Sequence, residues 1–398
     1  MKIMFLAGSY WPALDGVAHV TEYLAEGLAQ KHDVFVMAPL GNSFMETEEY
    51  QGVYIERVDV KRVYSCFVVG DKRQILKRIK RYEPDVLIVV GIQNWGFDWT
   101  KRQLGSLPGK KILMTHGCSC LGDYHLWNQI KKIKFHRQIV ADILNVCVTG
   151  YWKRYKKTFP EYIKRFDLVT YLFEKEPLYI YMLEQGAVNG KVLENATEDI
   201  FFERNAYIVN PNKPICFINV SNYEERKDQK LLLDAFYEAD IPESDFILIG
   251  SKKNDYYDEL IECNDTLAAK SHRCHKASIY VGIARSEVLS LYKNADVYLS
   301  ASRWEAMSIS ICEAAAAGLT IISTPAGHVE DIPGVWLFTE KEKLVGIMRK
   351  VSEYPKIREE SGKRAFEYAS INYKIQSKIN QLEDMINKLF IQNEKYTQ

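Results

Sequence analysis

The sequence lacks any apolar run long enough to cross a bilayer, and it lacks an excess of charge of either sign. Its longest uncharged apolar run, VLIVVGI at 86–92, is far below the roughly 20 residues of a spanning helix. The 52 Lys and Arg residues balance 52 Asp and Glu residues, so no global field favours nucleic acid or an acidic partner. The N-terminus, MKIMFLAGSYW, has no signal-peptide core. We therefore expect a cytoplasmic protein that meets a membrane only at its surface.

Motifs for three common kinds of site are also missing. No GxGxxG follows a predicted strand, which argues against a nicotinamide-dependent dehydrogenase. The segment GSLPGKK at 105–111 has the wrong spacing for a phosphate-binding loop and leads into a strand. The eight cysteines are scattered, and neither HGCSC at 116–120 nor HRCH at 272–275 has a CxxC spacing or a matching second pair. We expect reduced, packed thiols and no metal site.

The chain does contain a regular alternation of strand-like runs and helical periodicity. In the first half, KIMFLA, VAHVTEYLAEGLAQK and DVFVMAP predict a βαβ unit, and VLIVVG, KILMTHG, LVTYLF and KVLENA predict further strands. These strands are apolar throughout, not alternating. That character is typical of a parallel sheet with helices on both faces.

A second alternation follows a polar connector, ERNAYIVNPNK at 203–213. PICFINV, FILIG, SIYVGI, VYLSAS, TIISTP and VWLFT are its predicted strands, and DQKLLLDAFYEA is one of its helices. Residues 367–390 predict one long C-terminal helix. The predicted fold class is α/β, with two doubly wound Rossmann-like domains that face a central cleft, where ligands of open α/β sheets bind.

One short segment of the second half carries two carboxylates that need an explanation. SRWEAMSISICEAAAAGLTIISTPAG, at 302–327, holds Glu305 and Glu313 between two predicted buried strands. A capping box with Ser310 as N-cap would explain Glu313 alone. Glu305 lies just past a buried strand, where a carboxylate is costly unless it is paired or faces a polar cleft. A position at the cleft suits both residues.

This segment resembles the retaining glycosyltransferases of the two-domain GT-B architecture, in the large group-4 class. The motif is E-x7-E, here Glu305-AMSISIC-Glu313, and nearly every other segment has a counterpart in the same order. These segments are YWPALDG (10–16), THG (115–117), ENATEDIF (194–201), KDQKLLLDAF (227–236) and YVGIARSEVLSLYKNAD (280–296). The resemblance implies an acceptor-side domain of residues 1–200 plus 374–398, to which the C-terminal helix crosses back. It implies a nucleotide-sugar donor domain of residues 201–373.

The resemblance also implies roles for the residues around the motif. Glu305 would engage hydroxyls of the donor sugar, and Glu313 would hold the ribose hydroxyls. A carboxylate accepts from two hydroxyls, which suits a vicinal diol. Backbone amides at Met307, Ser308 and Ile309, at the head of a helix, would receive the departing diphosphate.

Further contacts to the nucleotide sugar are implied elsewhere in the donor domain. Lys227 matches the lysine that contacts the donor diphosphate. The family usually has an arginine five positions earlier, where this sequence has Asn222, and Arg226 is the candidate to supply the missing charge. Ile283 matches the position where the base packs against backbone.

Two residues of the first domain complete the predicted site. Gly16 falls in the loop after the first strand, where a side chain would obstruct a diphosphate; an ordinary turn glycine is the equal alternative. His116, in THG, matches a histidine near the sugar, against the alternative of a structural histidine at a strand end. The predicted catalytic residues are Glu305, His116 and Lys227.

The function implied is transfer of a sugar, with retention, from a nucleotide-diphosphate donor to a glycan or lipid-linked acceptor. A UDP-sugar is the favoured donor, and no metal or other cofactor is expected, because lysine, amides and the helix dipole supply the positive charge. The alternatives are a non-catalytic relative that binds nucleotide sugar or partners another glycosyltransferase, which Asn222 favours, and a nucleotide-sugar epimerase, which lacks this helix signature.

A basic segment marks the first domain. Residues 131–165 carry ten Lys or Arg residues against Asp142 and Glu161, a net charge of +8. Aromatic residues interleave with this charge, namely Phe135, Tyr151, Trp152, Tyr155, Phe159 and Tyr162. The pattern predicts peripheral binding to an anionic membrane surface, and a solvated helix face is the equal alternative. No recognised nucleic-acid module accompanies it.

Overall fold

The structure, a computed structural model, describes residues 1–13, 15–40, 45–63, 67–118, 121, 151–203, 214–271 and 277–394. It divides into two compact units, one of Met1–Glu194 with Lys378–Gln398 and one of Asn195–Ser377. The HRCH segment and all of the connector but its first residue lie outside the described residues.

The first unit is built on a sheet whose strands are parallel except at one edge. Its strands are β1 (Lys2–Leu6), β2 (Asp33–Pro39), β3 (Thr47–Tyr50), β4 (Val53–Val58), β5 (Val60–Val63), β6 (Phe67–Gly70), β7 (Val86–Val90), β8 (Lys110–Met114), β9 (Leu168–Tyr171) and β10 (Gly190–Val192). Within the described residues, eight of them form the sheet in the order β10-β9-β8-β7-β1-β2-β4-β3, with β3 antiparallel, and β5 and β6 form a separate antiparallel pair.

Helices flank this sheet because its central strands are apolar on both faces. Every residue of β7 is buried, so each face needs a cover. The helices are α1 (Gly16–Ala29), α2 (Lys72–Tyr82), α3 (Trp95–Thr100), α4 (Tyr151–Ile163) and α5 (Pro177–Glu184), with a 3₁₀ turn at Leu104–Ser106. α1, for example, buries Val20, Leu24 and Leu28, which lie on one helical face.

The second unit has a wholly parallel sheet within its described residues. Its strands are β11 (Ile215–Val220), β12 (Ser244–Gly250), β13 (Ser278–Val281), β14 (Val297–Ser300), β15 (Thr320–Ser323) and β16 (Trp336–Leu337), in the order β13-β12-β11-β14-β15-β16. Its helices are α6 (Gln229–Ala239), α7 (Asp255–Lys270), α8 (Arg285–Asn294), α9 (Ile309–Ala316), α10 (Lys341–Glu353) and α11 (Pro355–Asn372). Its 3₁₀ turns are Asp199–Glu203, Glu225–Lys227 and Val329–Asp331.

The two strand orders share one feature that locates a site in each unit. In the first unit the chain builds outward from β1 through β2 and then crosses to β7 on the other side of β1. In the second it builds outward from β11 and then crosses to β14. At such a switch point the loops leaving the two carboxyl ends diverge and open a crevice for ligands. The predicted α/β fold with two doubly wound domains is confirmed.

The prediction of one long C-terminal helix is wrong. α11 ends at Asn372, and a further helix, α12, runs from Ile375 to Glu394. The break exists because the carbonyl of Tyr373 accepts a hydrogen bond from the Thr197 amide at 2.9 Å, and Lys374 forms a bridge with the same residue. The chain there pairs as a strand and cannot continue as a helix.

α12 then packs on the first unit. Lys378 pairs with Glu194 at 3.0 Å, and Lys31 pairs with Glu383 at 2.8 Å. A Cβ at Gly27 of α1 would collide with the side chain of Ile379, so glycine at that position allows the close approach of the two helices. The crossing back that the resemblance implied is therefore present.

Candidate active site

Two loops that carry the predicted site residues leave neighbouring strands of the second sheet. β11 and β14 are paired, with Phe217 beside Val297 and Ile218 beside Tyr298. The loop after β11 carries Asn222, Arg226 and Lys227, and the loop after β14 carries Glu305. The switch point thus brings together Lys227 and Glu305, which are 78 positions apart.

Lys227 and Glu305 form an ion pair at this point. Lys227 ends the 3₁₀ turn, and its Nζ contacts Oε1 of Glu305. The two side chains are only 11% and 10% exposed, so water screens this pair much less than a surface pair. The carboxylate that seemed costly just past a buried strand is therefore paired.

Arg226 also approaches Glu305, whereas Asn222 does not join the pair. Nη1 of Arg226 lies 3.7 Å from Oε2 of Glu305 and donates to the carbonyl of Trp304 at 3.3 Å. Its side chain is 42% exposed, and its Nε donates to Oε2 of Glu224 at 2.6 Å, so part of its charge is already balanced. Oδ1 of Asn222 accepts from the Ser251 hydroxyl at 2.7 Å.

The helix that follows Glu305 begins earlier than a capping box would require. α9 starts at Ile309 with Ser308 as its N-cap, and no side chain among the described residues caps it. Ser310 is the second residue of the helix, so the interpretation of SISICE as a capping box is wrong. The first amides of a helix have no partner within it, and they carry the positive end of the dipole. Met307, Ser308 and Ile309 therefore form a site suited to an anion.

Two contacts hold the loop before α9 in place, and neither was predicted. Asn195 donates from Nδ2 to the carbonyl of Met307 at 3.0 Å, which also accounts for its place in the second unit. Gly327 has φ +73°, and a Cβ there would lie 2.6 Å from the carbonyl oxygen of Ala306. Glycine therefore permits both the backbone conformation and the close approach.

Glu313 is buried inside α9 and is paired with a residue that the sequence did not single out. It is 3% exposed, and Oε1 lies 2.5 Å from Nη2 of Arg285. Burial raises the pKa of Glu313, and the nearby Arg285 guanidinium opposes that rise. Arg285 also pairs with Glu198.

The donor half of the chain matches one family. Residues 201–368, all within the second unit, match the model for glycosyl transferases, group 1. This part of the chain is therefore similar to the group 1 glycosyl transferases.

Solved structures of this architecture resemble the whole chain. Sucrose-phosphate synthase from Thermosynechococcus elongatus is 15% identical with a TM-score of 0.75, covering 98% of this chain and 99% of its own. HepE from Anabaena, in complex with UDP and glucose, is 16% identical with a TM-score of 0.71, covering 97% and 99%. A glycosyltransferase from Rickettsia africae is 14% identical with a TM-score of 0.71, covering 98% of each chain. No curated protein sequence matches this chain.

Because the sequence identities are low, these likenesses establish the fold and nothing beyond it. The resemblance to GT-B glycosyltransferases is confirmed by the family match and by the fold together. Retention of the anomeric configuration stays a prediction, as do the roles of the individual residues.

Ile283 follows the outer strand β13 of the second unit. Gly282 before it has φ +62° and donates its amide to the carbonyl of Gly250, at the end of β12. Ile283 therefore lies at the carboxyl edge of the sheet and is half-buried. Its predicted contact with the base stays a prediction.

In the first unit, Gly16 is not in the loop after β1. It is the first residue of α1 and is exposed, and Asp15 caps that helix by accepting from the amides of Val17 and Ala18 at 3.1 and 2.9 Å. The prediction that Gly16 lies in the loop is wrong by one residue. The loop ends at Asp15, whose side chain caps the helix, and Gly16 is the first helical residue.

His116 follows β8 with φ +50°, a left-handed conformation that is uncommon outside glycine. Its Nε2 is shielded from water and has no hydrogen-bond partner among the described residues. Burial lowers the pKa of His116 to about 4, against a smaller opposite effect of Asp15. The imidazole is therefore neutral near pH 7, and its predicted place near the sugar stays a prediction.

The basic segment is only partly described, and that part changes one expectation. Residues 131–150 lie outside the described residues. On α4, Tyr155 and Phe159 are buried in the core of the first unit, so they do not face outward with the charges as expected. Lys157 remains exposed on the same helix.

Two features are absent from the described residues. Among them, no His, Cys, Asp and Glu side chains are grouped in threes so as to hold a metal ion. No described helix is both long and apolar enough to cross a membrane.

Proposed function

We propose that the chain transfers a sugar, with retention, from a nucleotide-diphosphate donor to a glycan or lipid-linked acceptor. The observation that carries this proposal is the Lys227–Glu305 pair next to the head of α9, at the switch point of the unit that is similar to the group 1 glycosyl transferases. A cation, a helix N-terminus and a carboxylate are what a departing diphosphate and a hydroxyl-bearing sugar require.

In the proposed reaction, the bond from the anomeric carbon to the diphosphate oxygen breaks. A bond from that carbon to an acceptor oxygen forms on the same face, and the proton of the acceptor hydroxyl passes to the departing phosphate oxygen. No covalent enzyme intermediate forms. Lys227 and the amides at Ser308 and Ile309 stabilise the negative charge on the diphosphate, so the proposal needs no metal ion.

The ion pair is compatible with both proposed roles of Lys227. A lysine ammonium has three donors, so Lys227 retains Glu305 while it donates to a phosphate oxygen. Glu305 has a second carboxylate oxygen, which lies 3.7 Å from Arg226 and is available to a sugar hydroxyl. Lys227 thereby orients Glu305 towards the sugar while both bind the donor.

The favoured donor is a UDP-sugar. Support comes from the likeness to HepE, which has been solved with UDP-glucose. The proposed acceptor site is in the first unit, at the loops after β1, β7 and β8, with neutral His116 near the reacting hydroxyl.

We also propose that residues 131–165 bind the cytoplasmic leaflet of a membrane. The net positive charge of this segment and the exposed Lys157 support the proposal, whereas Tyr155 and Phe159 are buried and take no part in it. Co-sedimentation with anionic liposomes at low salt tests it, and no binding there would favour a solvated helix face.

A second candidate is a relative that binds nucleotide sugar without turning it over. Asn222 favours it, because this residue replaces an arginine of the family and is engaged with Ser251. The test is hydrolysis of a panel of UDP-, ADP- and GDP-sugars by the full chain in EDTA, with Glu305→Gln as control. We expect turnover of a UDP-sugar by the wild-type chain alone. Binding without turnover of any donor would support the second candidate.

A further inference from the structure

Arg285 occupies a place that helix stability does not explain. It is the first residue of α8, where a positive charge opposes the helix dipole. Its side chain is nevertheless held from two directions. Nε donates to Oε2 of Glu198 at 3.0 Å, and the guanidinium lies 4.9 Å from the centre of the Phe201 ring.

What Arg285 gains from this placement is contact with Glu313. Besides Arg285, the titratable groups that face Glu313 within the described residues are the phenols of Tyr292 on α8 and Tyr298 on β14, and the carboxylate of Glu198. None of these three is a cation. The charge of Glu313 is therefore balanced by Arg285, which is 46% exposed and reaches inward to a carboxylate that is 4% exposed.

Burial of Glu313 makes that balance necessary for its proposed task. A buried carboxylate without a cation takes up a proton, since ionisation without water is costly. A protonated carboxyl has one donor and fewer acceptor sites, so it no longer accepts from both hydroxyls of a ribose. Arg285 contacts Oε1 of Glu313, and the Tyr292 side chain also hydrogen-bonds this carboxylate. A carboxylate has about four acceptor sites on its two oxygens, so these two contacts leave acceptor capacity.

We propose that Arg285 is a positioning residue of the nucleotide site, which holds Glu313 as an ionised and oriented acceptor for the ribose hydroxyls, and that Glu198 and Phe201 hold Arg285. This inference rests on the proposed function, because it requires Glu313 to face a nucleotide. It assigns the role of the ENATEDIF segment, whose Glu198 acts through Arg285 and does not touch the nucleotide.

The test is the pH dependence of UDP-glucose affinity, measured by calorimetry with the full chain from pH 6 to pH 9. The diphosphate of UDP-glucose does not titrate in that range, and its uracil ring begins to lose a proton only at the alkaline end, so each variant is compared with wild type at the same pH. Arg285→Met removes the cation at similar length. We expect its affinity to approach wild type at pH 9 and to fall as the pH falls, by about tenfold for each unit below the new pKa of Glu313.

Three further variants separate this role from a general defect. Arg285→Lys keeps the charge and should recover most of the wild-type profile. Glu198→Gln should give a smaller shift in the same direction. Lys293→Met removes another cation of α8, which pairs with Glu203 at 3.8 Å, and should leave the profile unchanged.

The outcomes distinguish the inference from the function on which it rests. A loss in Arg285→Met that is equal at every pH would overturn the inference, since it would indicate a direct contact or a structural defect. Glu313→Gln should bind weakly with no pH dependence. If Glu313→Gln binds as wild type does, or if the wild-type chain does not bind UDP-glucose, the proposed donor site itself is wrong.

Discussion

The two switch points have the same strand order but opposite chemistry. In the second unit the loops carry charged pairs, Lys227 with Glu305 and Arg285 with Glu313. In the first unit, the Asp15 carboxylate after β1 caps α1, Asn94 after β7 bonds to the backbone of its own turn, and the ring of His116 after β8 is neutral. A shared fold therefore does not give a shared ligand. The charges suit the second sheet to a diphosphate, and the neutral donors and acceptors suit the first to hydroxyl groups.

Among the variants that remove charge from the site of the second unit, Glu305→Gln should have the largest effect. Glu305→Gln should lower transfer by about a hundredfold or more, because a neutral amide no longer pairs with Lys227 or accepts from sugar hydroxyls as strongly. The melting temperature should fall only slightly, because the glutamine carbonyl oxygen still accepts a hydrogen bond from Lys227. Exposed Glu225→Gln, in the neighbouring loop, is the matched control for steady-state turnover. Lost activity together with a large drop in melting temperature would instead assign Glu305 a structural role.

Lys227→Met should have the next largest effect, on binding as well as turnover. It removes the cation proposed to contact the diphosphate, so we expect about tenfold weaker UDP affinity, roughly the value of one charge-assisted hydrogen bond. It also leaves Glu305 without its partner, which should lower the free energy of unfolding by about 1–3 kcal/mol. Lys230→Met, which breaks the more exposed pair with Glu259, is the control.

A double variant sharpens this test. Adding Glu305→Gln to Lys227→Met should restore part of the stability, because the unpaired carboxylate is gone, while activity stays lost. If Lys227→Met leaves UDP affinity unchanged, the lysine serves only to hold Glu305.

Arg226→Ala should have a smaller effect, of several-fold in turnover. The guanidinium is half exposed and 3.7 Å from Glu305, so its contribution is partly screened. Arg303→Ala is the control, because this arginine of the loop after β14 pairs with Asp228 at 2.7 Å, as Arg226 pairs with Glu224 at 2.6 Å. Equal turnover of the two variants would show that Arg226 does not replace the arginine missing at Asn222.

Most strands could be predicted from sequence because apolar runs are a local signal, whereas β3, β4, β5 and β6 were not predicted. PICFINV, for instance, predicts the second sheet's first strand, and the structure has it at Ile215–Val220. The E-x7-E segment was equally accessible, because its strand-loop-helix context is contiguous. The break at Tyr373 was not, since it depends on a hydrogen bond from Thr197 on a distant part of the chain.

The pairings within the site were beyond the sequence for the same reason. Arg285 and Glu313 are 28 positions apart, and Lys227 and Glu305 are 78 apart. Sequence identified three of these four residues through a family motif, but it did not show which of them touch. Arg285 lies outside the motif and has no local signal other than an unusual charge at a helix start.

The smallest expected effect is at His116, and it concerns pH. Because the folded pKa is lowered to about 4, the ring should stay neutral from pH 6 to pH 8, and turnover should show no titration of this group there. In the unfolded chain the ring takes up a proton near pH 6.5, so its effect on stability is absent above that pH. As the pH falls from 6.5 towards 4, the unfolded chain gains this proton and the folded chain does not, so the folded state loses stability. The melting temperature of His116→Asn should therefore fall less than that of wild type between pH 7 and pH 5. A wild-type rate limb near pH 6.5 that disappears in His116→Asn would show that the ring is charged during turnover, and the contrast between a neutral and a charged switch point would then fail.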